Sequence, residues 1–396
     1  MIMRIKSTTL LTVVLTLFYF FPGVYANSYT NYVKYALLVI GIFQIIKHNK
    51  LIPGCNGFIV LSLIYHFIIY FISLYRGLAY ANFANFVAIL LLGIYLFYIK
   101  LLLLYDKRGT IDALFFVFSL LILWDLLIIL IYPNGIHGIS TPYGSQFLFG
   151  NKNNHTIHIL IFLFVSYWKA SYTERFRKTI IILSCGLSLV VVFLLSSSTT
   201  IVSIGIAVVG VLWQSFVIRK IEIKAKIVLI SGIVLNFLVI LGKATFLSPI
   251  VEAFGKTMTF TNRSIIWDQT IPYIIQKPIL GWGHVDTNTV YGLFGYINTH
   301  NQFLDTCFLG GVIAFSSLIV ILILLAQNID KMVSPFEIST LSLLFLALLV
   351  KMLFEQVASS HIAWLFMFLL YEYSLFSRAI NSNKSQVSIN KGGFLY

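Results

Sequence analysis

Apolar runs long enough to cross a bilayer recur along almost the whole chain, and they constrain the fold more than any single motif. A spanning helix needs roughly 20 mostly apolar residues, and about twelve such runs can be marked. They lie at 8–25, 30–46, 57–75, 80–104, 111–132, 156–168, 179–195, 198–218, 227–242, 302–326, 337–354 and 357–376. Hydrophobic residues make up 59% of the chain and charged residues 10%, with a mean hydropathy of +0.94. No soluble core needs that much apolar surface. A porin-type barrel would alternate polar and apolar residues over strands of about ten, and these runs do not alternate. The expected class is an all-α integral membrane protein, one polytopic domain over 1–396. Its polar end, 381–396, reads as a disordered cytoplasmic tail.

The formal net charge of +14 invites a nucleic-acid reading, but the placement of the charges argues for topology instead. With a cytoplasmic N-terminus, nineteen of the 27 lysines and arginines fall on the inside, from Arg4 and Lys6 to Lys384 and Lys391. Lys34, Arg76, Lys152, Lys243, Lys256, Arg263, Lys277 and Lys351 fall elsewhere. This asymmetry follows the positive-inside rule. It puts both termini in the cytoplasm, faces the long polar loop outward, and suits anionic inner-leaflet lipid. Nucleic acid is not an expected partner. The three cysteines, Cys55, Cys185 and Cys307, form neither a CxxC pair nor an even framework, so no disulfide scaffold or zinc site is implied. Val24-Tyr25-Ala26 resembles a signal-peptidase site, but the next run fits the same topology, so the first helix is expected to stay.

Two polar segments break the apolar pattern. The shorter, Pro133 to His155, ends in Gly150-Asn151-Lys152-Asn153-Asn154-His155 before an apolar run. Asn151, Lys152 and Asn153 at a helix entrance can bind sugar hydroxyls or phosphate; the same residues also make an ordinary polar cap. His155 and His158 share a helical face, a spacing open to a metal but without a third ligand nearby.

The longer segment, 243–301, is the expected extracytoplasmic catalytic loop. Arg263 and Trp267 lie four residues apart on one face of a short helix that Pro272 limits or kinks. An arginine there stays charged and can fork onto two phosphate oxygens, with Trp267 and Lys256 as candidate substrate-binding neighbours. It can equally anchor a headgroup or pair with Asp268. Lys277-Pro278-Ile279-Leu280-Gly281-Trp282-Gly283 reads as a rigid turn. Trp282 can stack on a sugar face, or sit in an interfacial belt. His300-Asn301 stands at the mouth of the next apolar run, with Asn301 as N-cap and Asp305 one turn on, where it could orient the imidazole. Histidine titrates near neutral pH, so a neutral imidazole here is a competent proton acceptor.

Taken in order, Gly150-Asn151-Lys152-Asn153, Arg263-x3-Trp267, Pro278-x2-Gly281-x-Gly283 and His300-Asn301 with Gly311 resemble the bacterial O-antigen ligase and O-antigen or capsule polymerase superfamily. The motifs cover 150–320, the rest matching by architecture alone. The resemblance implies a GT-C-like fold in a bacterial cytoplasmic membrane with the active site on the outer face. It also implies glycan transfer from undecaprenyl-pyrophosphate-linked oligosaccharide without metal or nucleotide cofactor. Membrane lipids and chain-length regulator or flippase proteins are the implied partners. The family histidine falls on His300 and the loop arginine on Arg263. Two departures stand out. Ala314 replaces the usual residue of the helix motif, and Ser196-Ser197-Ser198-Thr199-Thr200 lacks the arginine that many relatives carry there. If that arginine grips pyrophosphate, then Arg263, Lys152 or the loop lysines must substitute, which weighs against a ligase more than a polymerase. The leading expectation is a repeat-unit polymerase, the alternative a ligase to a lipid, protein or wall acceptor. A third reading is a transporter of the lipid-linked unit, for which His66, Asp125, Lys351 and Glu355 would be isolated intramembrane candidates.

Overall fold

The computed structural model describes residues 7–20, 33, 35–36, 39–43, 46, 56–136, 138–140, 144–216, 221–242, 246, 248–253, 255 and 263–392. The chain is mostly helical. Helix α1 spans Ser7–Tyr19, α2 Gly57–Tyr75, α3 Phe83–Tyr105 and α4 Lys107–Ile131; α5 spans His155–Ala170, α6 Arg177–Leu195, α7 Ser198–Phe216 and α8 Ala225–Ile240. The long loop holds α9 (Ser248–Ala253), α10 (Arg263–Gln276) and α11 (Thr287–Phe294), and the bundle closes with α12 (Gln302–Asp330), α13 (Pro335–Phe354) and α14 (His361–Gly392).

Among the described residues, six helices are long and apolar enough to cross a membrane: α2, α3, α4, α6, α12 and α13. Three shorter apolar stretches, Thr9–Tyr19, Ser198–Trp213 and Ala225–Ile240, accompany them. Of the twelve expected runs, 30–46 lies partly outside the described residues. The last helix continues to Gly392, through most of the polar stretch expected to be a disordered tail.

Side chains at the helix starts explain several boundaries. Asn56 accepts from the Phe58 N–H at 3.0 Å, and Asp106 ends α3 while its carboxylate accepts from the Gly109 N–H at 3.0 Å to begin α4. Each satisfies a donor that the first helical turn leaves orphaned. The core runs through α13 and α14, where Leu341, Leu344, Phe345, Leu348, Trp364, Phe366 and Phe368 are fully buried. Phe71, Leu127, Phe193, Ile230 and Phe237 are exposed, as side chains that meet lipid rather than water would be. Helix α13 packs against α7, α8 and α12, so its C-terminal end lies among several helices.

Segment 133–155 is more ordered than a polar connection: β1 (Ile139–Ser140), β2 (Gly144–Phe147) and β3 (Gly150–Asn151) form a small antiparallel sheet, with Ile139 opposite Ser145 and Gln146 opposite Asn151. It carries Asn151 to Asn154 to the start of α5.

The long loop is fastened to the bundle through backbone contacts. Helix α12 breaks at Gly311, whose φ of 59° and ψ of −159° are not helical. The 278–283 turn docks at that break: Trp282 N donates to Phe308 O at 2.7 Å, Gly283 N to Leu309 O at 2.8 Å, and Val312 N to Pro278 O at 2.8 Å. A Cβ on Gly311 would lie 2.2 Å from the Ile279 carbonyl oxygen, and one on Gly281 2.6 Å from that of Phe308. Both glycines also have positive φ, so a side chain at either is excluded by contact and by backbone conformation.

Candidate functional site

One carboxylate organises the site. Glu355 caps the C-terminus of α13 in extended conformation, just past the apolar helix. Its Oε1 accepts from Arg263 at 2.5 Å and from the side-chain amide of Asn153 at 2.6 Å. Its Oε2 lies 3.3 Å from His300 Nδ1. Lys351 stands one turn earlier on the same helix, an i,i+4 neighbour, and donates to the Asn153 carbonyl at 2.7 Å. Four distant segments therefore meet here: the entrance to α5, the start of α10, the end of the long loop, and the end of α13.

Electrostatics fix the state of that carboxylate. Burial would push the Glu355 pKa up, but Lys351, the His300 hydrogen bond and Arg263 together outweigh it and hold the pKa down at about 2. Glu355 is therefore an anion at any physiological pH. Counting it against Arg263 and Lys351 leaves one uncompensated positive charge before His300 is considered. A buried surplus of that sign is unfavourable in an empty site and favourable when an anion arrives.

His300 is set at the rim. Its φ of 47° is a left-handed conformation that costs a non-glycine residue on the order of 1–2 kcal/mol. Asn298 Oδ1 accepts from its backbone N–H at 3.0 Å. The bond to Glu355 engages Nδ1, and among the described residues Nε2 takes no hydrogen bond. The imidazole is 26% exposed against 11% for the carboxylate. An accessible Nε2 with its opposite nitrogen held by a carboxylate is the arrangement of an oriented general base. Backbone strain of this kind concentrates at functional sites.

The other expected site residues divide clearly. Asn153 belongs to the hub, and Ser197 reinforces it, donating to Asn153 Oδ1 at 2.6 Å. The segment lacking an arginine therefore borders the site, and the second cation found beside it is Lys351, not Lys152, whose side chain is exposed. Asn151 orders the loop through its side-chain oxygen, which accepts from the Asn153 and Asn154 N–H groups. Asn301 is fully buried; it caps α12, accepting from Phe303 and Leu304 N–H, and donates to Leu353 O at 2.9 Å. That bond ties the His300 backbone to the end of α13.

Trp267 is fully buried among Val239, Leu304 and Leu353 and donates to Thr299 O at 3.1 Å. Its ring is fully buried, with no face open to a substrate; it anchors the segment leading to His300. Trp282 donates to Tyr273 O at 2.8 Å and carries Lys277 over its ring at 3.5 Å. Asp305 does not orient His300. It is buried, hydrogen-bonded to Gln356 and 3.5 Å from Thr299 Oγ1, and Glu355 takes the orienting role because α13 ends beside the histidine. Lys256 lies outside the described residues. Pro272 sits inside α10 without ending it.

His155 makes no pair with His158. Its Nε2 faces Asp125 at 3.1 Å, its Nδ1 faces Asn151 O at 3.0 Å, and His158 stacks on Phe149 at 3.8 Å. Among the described residues no group of three or more histidine, cysteine or acidic side chains is placed to hold a metal ion.

Glu355 and Lys351 are the members of this candidate site that the sequence shows only as isolated intramembrane charges. The signal was present in the i,i+4 spacing of a lysine and a glutamate closing an apolar helix, but their partners lie 50 to 200 residues away in sequence.

The O-antigen ligase family model matches residues 183–319, consistent with the O-antigen ligase and polymerase superfamily. The match contains Ser197, Arg263 and His300, while Asn153, Lys351 and Glu355 come from outside it. No curated protein and no solved structure matches the chain.

Proposed function

We propose that the chain is a polysaccharide repeat-unit polymerase, transferring glycan from an undecaprenyl-pyrophosphate-linked donor to the hydroxyl of an acceptor sugar. The family match supports a membrane glycan-transfer enzyme of the ligase or polymerase kind, and the finer reading rests on the site. The observation that carries it is the division of Glu355, one oxygen on Arg263 and the other on His300. Such a bridge sets a base and an anion-binding cation side by side.

In this reading the acceptor hydroxyl attacks the anomeric carbon of the donor. A new carbon–oxygen bond forms, the bond to the pyrophosphate oxygen breaks, and its electron pair leaves with undecaprenyl pyrophosphate. His300 takes the hydroxyl proton through Nε2, a role typically worth 10²–10⁴-fold. Arg263 and Lys351 neutralise the departing charge. Pyrophosphate is already a good leaving group, so holding the two reactants in line contributes as much as proton transfer. Attack opposite the leaving group inverts the anomeric configuration. No step requires a metal or nucleotide. The active site then faces the outside of a bacterial cytoplasmic membrane in a GT-C-like scaffold, with chain-length regulator or flippase proteins as partners.

The ligase reading is favoured by the description of the matching family. A glycan ladder from a deletion strain complemented with wild type or His300→Ala separates the two. Single repeat units without long chains in the variant establish a polymerase. Long chains that stay on the carrier and never reach their acceptor establish a ligase. Units trapped on the cytoplasmic face would overturn both in favour of a transporter.

A further inference from the structure

Arg76 and Lys277 are two cations that lie outside the site described above. Arg76 ends α2, and Lys277 follows α10. Arg76 donates to Gly281 O at 2.5 Å, which holds it against the docked 278–283 turn, while its Nε is buried without a hydrogen-bond partner. Lys277 lies over the Trp282 ring at 3.5 Å. Burial lowers the Lys277 pKa, and Arg76 is near enough to lower it further. Among the described residues no acidic side chain forms an ion pair with either. Two like charges, one held by a backbone carbonyl and the other over an aromatic face, present the chemistry that recognises a phosphate or pyrophosphate. Beside them Tyr80 stacks on His284 at 4.0 Å, a flat surface of the kind that sugars lie against.

The position of this pair matters as much as its charge. Arg263 opens α10 and Lys277 follows its end, so a helix of 14 residues separates the two cations by about 20 Å at the helical rise. A second route gives a similar figure. Tyr65 touches Thr306 and Gln302 beside the catalytic segment, and Arg76 lies eleven residues further along α2, about 16 Å away.

A polymerase brings together two carrier-linked chains. The donor reacts at its pyrophosphate end, but the acceptor reacts at its far end, so the acceptor's own pyrophosphate must rest one oligosaccharide away from the base. We propose that Arg76 and Lys277 form a second anion site, which holds the pyrophosphate of the acceptor's lipid carrier while its sugars span the gap to His300. This deepens the polymerase reading and rests on it.

The test counts bound carrier. Full-length protein in nanodiscs is titrated with undecaprenyl pyrophosphate, and the bound equivalents are counted by native mass spectrometry. The wild type is expected to bind two. Lys277→Glu and Lys277→Gln should each bind one, as should Arg263→Ala, which loses the other site. The lysine side chain donates no hydrogen bond among the described residues, and the equivalent retained at Arg263 reports that the variant is folded.

A single equivalent in the wild type, or two in the Lys277 variants, overturns the proposal. So does displacement of the Lys277-dependent equivalent by phosphatidylglycerol as readily as by undecaprenyl pyrophosphate, which would make the pair a headgroup seat. The count needs no turnover. Long chains that stay on the carrier and never reach their acceptor in the His300→Ala strain would therefore remove the polymerase reading without changing the count, and the two failures stay distinguishable.

Discussion

Two carboxylate–histidine pairs of nearly equal length are built into this bundle, and they have opposite characters. Asp125 and His155 meet at 3.1 Å with both side chains fully buried. Both imidazole nitrogens are engaged, one by Asp125 and one by Asn151 O, and the rings of Phe147 and Phe149 pack edge-on against it. Glu355 and His300 meet at 3.3 Å with a partly exposed imidazole, a strained backbone, an open Nε2, and two further cations on or beside the carboxylate. The pairing is the same chemistry. Access and surplus positive charge are what the proposed chemistry needs of the second pair, while complete enclosure suits the first to a clamp between α4 and the loop that delivers Asn153.

The sharpest way to break this comparison is to remove each histidine in turn. His300→Ala should abolish long glycan chains, a loss on the order of 10²–10⁴-fold, with membrane-inserted protein at its normal level. His155→Ala should do the reverse in kind. It leaves a buried acid without its partner, costing on the order of 3–5 kcal/mol, so protein level and thermal stability should fall. The readouts are the glycan ladder, immunoblots of membrane fractions, and melting of detergent-solubilised protein. Normal ladders from His300→Ala would remove the base assignment. A stable but inactive His155→Ala would move the first pair into the machinery.

Acid should affect the second pair in a predictable direction. The folded pKa of Glu355 is held down at about 2, below the usual glutamate value, so the carboxylate contributes stability that is fully present above the unfolded pKa. The contribution is lost as pH falls from about 4.5 through 2, and is on the order of 3 kcal/mol. Glu355→Gln should melt lower than wild type at neutral pH, and the gap should close as the medium is acidified towards pH 2. A gap independent of pH would mean that the glutamate is held by packing and not by its charge.

The fold class and the helix positions were legible because hydrophobic runs and single-residue caps are local properties. The turn at Pro278 to Gly283 and the break at Gly311 were visible only as separate glycines, since their meaning lies in backbone hydrogen bonds between segments. Arg263 and His300 stood out by residue type in a polar loop. Glu355 did not, because a carboxylate at the end of an apolar helix reads alone as an anomaly until Asn153, Arg263 and His300 arrive from elsewhere. Trp267 misled for the same reason: one helical face with Arg263 suggested substrate contact, yet the packing of Leu304 and Leu353 turns the ring inward.

The smallest expected effect separates charge from geometry within the reactive pair. Arg263→Lys keeps a positive charge near Glu355 but loses the planar fork, which can hold the carboxylate with one nitrogen while presenting others to pyrophosphate. An ammonium can neutralise Glu355 or meet the leaving group, but from one point it does neither with the same geometry. The lysine variant should lose about tenfold or more in transfer rate, equivalent to roughly 1.4 kcal/mol of transition-state stabilisation, and approach the Arg263→Ala level. The measurement is the initial rate of chain growth in membranes supplied with lipid-linked repeat units, with His300 intact throughout. Full activity in Arg263→Lys would reduce the arginine to a point charge. The site would then differ from the buried Asp125–His155 pair in access and net charge alone, with no part left for directed hydrogen bonding to the leaving group.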